Sequence, residues 1–216
     1  MCIVSIFSDE KGNFILTQNR DETNLRPTSD KIETRKMNGL DFTGPIDLVS
    51  GGTWIYYAEK YVVCILNGAY KKHLHKPPYR MSRGLIILEL LNYDSIDEFV
   101  NKIELNGIEP FTMIMIDKVK HEKKILVWDE TKKYKEDVSK ENLIVRSSST
   151  LYTKEEKQKH KQFFLNLNSY NPEEIFKLQD KIKMPENNKF PTVMTTSITQ
   201  ITQSQNQITL KFCPIN

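Results

Sequence analysis

A cysteine at position 2 brings a thiol to the start of the chain, and loss of the initiator methionine would give that residue a free α-amine as well. An α-amine titrates near about 7.7–8.0, in the range of a working general base, and a thiol near about 8.5 is a strong nucleophile once ionised. Such a residue can activate itself against a carbonyl. It would need a cation to hold the thiolate, a carboxylate to orient the amine, and donors for an oxyanion. The stretch TQNRDETNLRP, Thr17 to Pro27, supplies Arg20 and Asp21, and Asn67 in the run VCILNGAY supplies a side-chain amide. The same residues also fit a plainer account, in which Cys2 is a small buried strand residue and Arg20 and Asp21 form a surface ion pair.

Two strands must position these groups. Cys2 to Phe7 and Phe14 to Asn19 alternate as a hairpin around a polar turn with Gly12 and Asn13, so Arg20 and Asp21 come alongside Cys2. Residues 20 to 46 read as a long polar loop with Pro27 and Pro45. Strands follow at Thr53 to Ala58 and Tyr61 to Leu66, after a Gly51-Gly52 pair that marks a close backbone approach or a bulge. Ser82 opens an apolar helical stretch to Leu91, and Ser95 with Glu98 makes a capping box for a helix ending near Leu105. Phe111 to Ile116, Lys124 to Trp128 and Leu143 to Arg146 are further strands. Thr153 with Glu156 caps a helix to about Asn166, Asn171 and Pro172 start another, and Val193 to Ile201 with Gln207 to Phe212 close the chain as a hairpin. Hairpin-linked strands with helices in pairs predict an α+β fold of antiparallel sheets covered by helices, in one domain over residues 1–216.

Composition narrows the function. The 216 residues carry 31 basic and 28 acidic side chains, a balance that does not point to nucleic acid. The N-terminus lacks the features of a signal peptide, and the longest apolar run, Gly84 to Leu91, is far too short to span a bilayer, so a cytoplasmic protein is expected. Three cysteines, Cys2, Cys64 and Cys213, with no close pair predict reduced thiols and no metal site. No cofactor is called for.

The ordered motifs Met1-Cys2, Asn19-Arg20-Asp21-Glu22 with Arg26-Pro27, Gly51-Gly52-Thr53-Trp54, Asn67 and Ser82-Arg83-Gly84 resemble the NRDE family, also called the Transport and Golgi organization protein 2 family. The resemblance is close over roughly the first 90 residues. It implies a four-layer αββα sandwich, two antiparallel sheets between helical layers, like the N-terminal-nucleophile hydrolases. Cysteine members similar to penicillin V acylase and choloylglycine hydrolase cleave linear amides with a mature N-terminal cysteine. The resemblance makes Cys2 nucleophile and base, sets Arg20 and Asp21 beside it, gives Asn67 to the oxyanion, and has Glu22 anchor the loop. Substrate-binding positions would be Trp54, Tyr56, Arg83 and Ser148. Where relatives carry an asparagine after a Leu-Ser pair, this chain reads Arg146, Ser147, Ser148, Ser149 and Thr150, so serine hydroxyls or backbone amides would stand in. The terminal hairpin TVMTTSITQ lacks an arginine that relatives often have.

Two functions follow. One is an amidohydrolase acting on a linear acyl amide through an acyl-enzyme, with a depressed thiol pKa at Cys2. The other is a non-catalytic carrier of haem or acyl-CoA, which the family's association with Golgi organisation suggests. For the carrier, His73 and His75 among Lys71, Lys72, Lys76 and Arg80 could meet an anionic ligand, although an exposed basic loop has the same composition. His121 and His160 read as surface or helix-face histidines, Met113 and Met115 as core filler, and Cys64 as an inert buried thiol. Trp54, Tyr56 and Tyr57 fit either a ligand-pocket wall or strand aromatics in a core.

Overall fold

In a computed structural model, which describes residues 2–185, 191–205 and 207–215, the first hairpin forms as the alternation requires. Strand β1 is Cys2–Ser8 and β2 is Phe14–Thr23. The expected loop over residues 20–46 is instead the end of β2 followed by β3, Thr28–Met37, and β4, Leu40–Asp47. Its signal was Asn38-Gly39, whose φ angles of 50° and 86° make the two-residue turn that pairs Met37 with Leu40. The polar residues that read as loop are the exposed positions of an edge ribbon.

Strands β5, Ile55–Ala58, and β6, Tyr61–Asn67, come next. The apolar stretch after Ser82 makes only a short helix α1, Arg83–Ile86, and a 3-10 turn over Ile87–Asn92, and α2 is Ile96–Lys102, capped by Ser95. Strands β7, Phe111–Asp117, β8, Glu122–Trp128, β9, Lys133–Asp137, and β10, Leu143–Ser147, lead to α3, Lys154–Leu165, and α4, Pro172–Lys181. The Thr153/Glu156 capping box is formed reciprocally, and Asn171 caps α4 with proline in its first turn. Strands β11, Val193–Ser204, and β12, Gln207–Pro214, end the chain.

These elements form two compact units. The first combines the described residues up to Arg26 with those from Lys140 on, and holds a five-stranded sheet in the order β10-β1-β2-β11-β12 with α3 and α4. Phe7, Val145, Phe164 and Ile175 make its helix-side core, with Ile15, Leu143 and Leu178 packed around them. Alternation along β1 and β2 sends Phe7 and Ile15 to that face and leaves Cys2 and Arg20 on the other. Buried Gln179 of α4 fixes the register, donating to Ser5 Oγ and the Thr17 carbonyl, both at 3.1 Å.

The second unit, Pro27–Ser139, holds an antiparallel seven-stranded sheet in the order β3-β4-β5-β6-β7-β8-β9 with α1, α2 and the 3-10 turn. A Cβ at Gly52 would lie 2.4 Å from the Gly84 carbonyl carbon, and the Thr53 N–H donates to the Gly84 oxygen at 3.0 Å. Two motifs distant in sequence therefore meet backbone to backbone, and glycine is required there by space.

Candidate active site

The register of the first hairpin sets Cys2 opposite Arg20 and Val4 opposite Gln18. With a period of two, Cys2, Gln18 and Arg20 share one face of the sheet, joined by Ser197 and Thr199 of β11. Cys2 is 2% exposed and Arg20 4%. The Cys2 carbonyl accepts from the Ser148 N–H at 2.9 Å, and the Gln18 side chain hydrogen-bonds the thiol. Burial pushes the thiol above its ordinary value, and the Arg20 charge and the Gln18 bond offset this only in part. With Met1 still on the chain, desolvation outweighs the cation; the depressed thiol is expected of the chain that begins at Cys2. Met1, whose removal the N-terminal chemistry requires, lies outside the described residues.

Arg20 donates to Thr196 Oγ1 at 3.2 Å, and that hydroxyl donates to the Arg20 carbonyl at 3.1 Å. A bulge between Thr195 and Ser197 supplies the extra residue that makes this contact. Asp21 points to the opposite face, fully buried, where Thr195 Oγ1 donates to Oδ1 and the Tyr152 hydroxyl to Oδ2, both at 2.6 Å. Thr195 Oγ1 also accepts from the Met184 N–H at 2.7 Å, so its own proton is committed to the carboxylate. Burial nevertheless pushes Asp21 up to about 6, against the two hydrogen bonds. Burial and the neighbouring carboxylate push Tyr152 up, keeping it protonated as the donor.

The turn after β10 serves both groups. Ser148 N–H reaches Cys2, and the Ser148 carbonyl accepts from the Tyr152 N–H at 3.1 Å, which sets Tyr152 against Asp21. The Ser148 hydroxyl is paired with Thr150 Oγ1 at 2.8 Å. His160 is a buried residue on the inner face of α3: its Nδ1 meets Ser147 Oγ at 2.9 Å, and its ring packs edge-on to Tyr152 at 4.8 Å. Desolvation pushes its pKa down, so the ring is neutral near pH 7.

The other singled-out residues belong to the second unit. Asn67 ends β6 opposite Phe111 and is half-buried. Trp54 is buried, and Tyr56 is fully buried with its hydroxyl donating to the Ile87 carbonyl at 3.0 Å, the core arrangement of the two accounts. Arg83 donates to Glu109 at 2.9 Å and to the Pro110 carbonyl at 3.2 Å. His73 and His75 also turn to Glu109, at 3.0 and 3.3 Å, so these histidines face a carboxylate of their own unit. Among the described residues, no helix is long and apolar enough to cross a membrane.

A family model described as Transport and Golgi organisation 2 matches residues 1–214. The chain belongs to that family. No curated protein matches it. Among solved structures it is similar to a penicillin V acylase from Agrobacterium tumefaciens, at 11% identity and TM-score 0.58, covering 99% of this chain and 86% of that one. A mutant conjugated bile acid hydrolase from Clostridium perfringens matches at 12% identity and TM-score 0.56, covering 98% and 92%. Another variant of that hydrolase matches at 11% and 0.57, covering 100% and 97%. The shared feature is the fold: α+β, with two antiparallel sheets.

The family's Asn-Arg-Asp-Glu motif separates by alternation along β2. Asn19 Nδ2 donates to the Gln179 carbonyl of α4 at 2.9 Å, Arg20 lies opposite Cys2, Asp21 takes two hydroxyls, and Glu22 accepts from the Thr23 N–H at 2.9 Å. Sequence reasoning missed Gln18, Tyr152, Thr195 and Thr196. Gln18 had a signal, since it precedes Arg20 by the strand period. The others meet Arg20 and Asp21 from more than 130 residues away and had none.

Proposed function

We propose that this protein is an amidohydrolase that cleaves linear carbon–nitrogen amides through Cys2 once Met1 has been removed. The observation that carries the reading is the pairing of Cys2 with Arg20 in a register that also gives the thiol a hydrogen bond from Gln18. The likeness in fold to a penicillin V acylase and a conjugated bile acid hydrolase supports it.

In this reading the α-amine of Cys2 takes the thiol proton, and the thiolate forms a C–S bond to the amide carbonyl. The tetrahedral adduct collapses with cleavage of the C–N bond, and the amine leaves with the proton held by the Cys2 ammonium. Water, deprotonated by the same amine, then attacks the thioester and releases the carboxylic acid and the thiol. Arg20 stabilises the thiolate, and Gln18 orients it. Asp21, ionised above about pH 6, holds this end of β2 to Tyr152 and Thr195.

A second reading, a non-catalytic carrier of an acyl-CoA or haem ligand, draws on the burial of Cys2 and its raised thiol pKa. One experiment separates the two. Intact mass is measured on protein from its native host, before and after incubation with a panel of activated acyl amides. Hydrolysis requires loss of Met1 and an acyl adduct that maps to Cys2 and turns over. Retained Met1 on the native protein, with no adduct, sinks the hydrolase.

A further inference from the structure

One hollow of the first unit lies away from Cys2. It opens at the other end of β1, roughly 17 Å along the strand from Cys2 to Phe7, and encloses about 590 Å³. Such a volume lies within the range of small-molecule sites, about 300–1,000 Å³. Its apolar lining comes from Phe7, Ile15, Leu143, Leu165, Tyr170 and Pro172. Phe7 and Tyr170 stack with centroids 4.3 Å apart and planes at 30°. Leu165 and Tyr170 are nonetheless 49% and 52% exposed, an unusual state for large apolar side chains gathered around one hollow.

The mouth is polar and built. Asp9 accepts from the Lys11 N–H, the Asn13 N–H and the Asn13 side-chain amide at 2.9, 2.9 and 2.7 Å. Asn13 Oδ1 accepts from the Gln205 N–H at 3.1 Å, and the Ser8 N–H reaches the Asn142 carbonyl at 3.0 Å. Three chain segments are thus stitched into one rim. That rim carries the carboxylates of Asp9 and Glu10; the described lining contains no lysine, arginine or histidine, and the one cation of the same turn, exposed Lys11, leaves the rim net negative. The Asn13 hydrogen bond holds Asp9 below the usual carboxylate range, so its charge persists in weak acid. A local field of this sign opposes an acyl carboxylate or a phosphate and favours a cation.

We propose that this pocket binds an amphipathic cation, an amine with an aromatic or aliphatic body. The body lies against Phe7, Tyr170 and Leu165, and the ammonium meets Asp9 and Glu10. The site is independent of the chemistry assigned to Cys2.

Fluorescence titration of the full chain with dansylcadaverine, a primary alkylamine bearing an aromatic fluorophore, tests this against its neutral N-acetyl derivative and a dansyl carboxylate of the same length. The amine should bind saturably, and the carboxylate about tenfold more weakly. The double substitution Asp9→Asn, Glu10→Gln should reduce amine affinity by about five- to tenfold and abolish the preference over the neutral probe. Tyr170→Ser, or Leu165→Gln as a second variant at an exposed position, should weaken all probes that bind. Equal affinity for the three probes, no saturable binding, or binding unchanged by both apolar substitutions would overturn the proposal.

Discussion

Tyr152 donates its hydroxyl proton to Asp21 at 2.6 Å, joining the turn after β10 to the strand that carries Arg20. Because burial pushes Asp21 up to about 6, the folded protein keeps a proton between about pH 4 and 6 that the unfolded chain has released. The stabilising effect of that proton is therefore present below about pH 4 and lost as pH rises to about 6. Its size is on the order of 3 kcal/mol. Urea unfolding from pH 4 to 8 should show this falling limb in the wild type and lose it in Asp21→Asn. Tyr152→Phe removes a donor to the carboxylate, so the limb should extend above pH 6, with a further loss of about 1–3 kcal/mol at pH 8. Identical pH profiles for the three proteins would mean that Asp21 does not titrate in this window.

Thiol reactivity should follow burial. Cys213 is half-buried while Cys2 and Cys64 are buried, so alkylation by iodoacetamide in the folded state should label Cys213 first. Burial raises the Cys2 thiol and Arg20 opposes that rise, so Arg20→Met should move the pH midpoint of Cys2 labelling upward and Arg20→Lys should restore part of it. Peptide mapping by mass spectrometry reads both effects. An unmoved midpoint in Arg20→Met would show that the guanidinium does not act on the thiol.

The pairing of Cys2 with Arg20 was legible because two short alternating runs around a Gly12-Asn13 turn admit few registers, and the caps of α3 and α4 were legible because capping is local. The ribbon of β3 and β4 was obscured by its charged exposed positions, although Asn38-Gly39 carried its turn signal. Tyr152 and Thr195 at Asp21 were hidden because tertiary hydrogen bonds leave no periodic trace. The desolvation of the Cys2 thiol is hidden for a related reason: a neighbouring arginine is visible in the sequence, while the burial that outweighs it with Met1 in place depends on what covers the strand.

The meeting of Gly52 and Gly84 should tolerate no side chain. With a Cβ 2.4 Å from main-chain carbon, Gly52→Ala must displace backbone, at a cost of about 3 kcal/mol or more. Gly39 provides the contrast: nothing lies within 4 Å of its added Cβ, and only its φ of 86° resists substitution, at about 1–2 kcal/mol. Urea midpoints at constant m-value should rank Gly52→Ala well below Gly39→Ala. The reverse order would remove the close approach as the reason for glycine in that motif.

Asn19 and Gln179 test whether the first position of the family motif is structural. Asn19 Nδ2 donates to the Gln179 carbonyl, while the Gln179 amide donates to Ser5 and Thr17, a cross-strand pair of the same hairpin. Gln179→Ala leaves those acceptors buried without their donor and opens a cavity, so a loss of about 2–4 kcal/mol is expected. Asn19→Ala removes a single bond and should cost about 1–2 kcal/mol. Since α4 is held to the strand by both residues, the double variant should lose less than the sum of the singles. Full additivity in urea unfolding would mean that the two act separately. A variant of Asn19 that kept wild-type stability but changed the pH midpoint of Cys2 labelling would instead move Asn19 from the scaffold to the site.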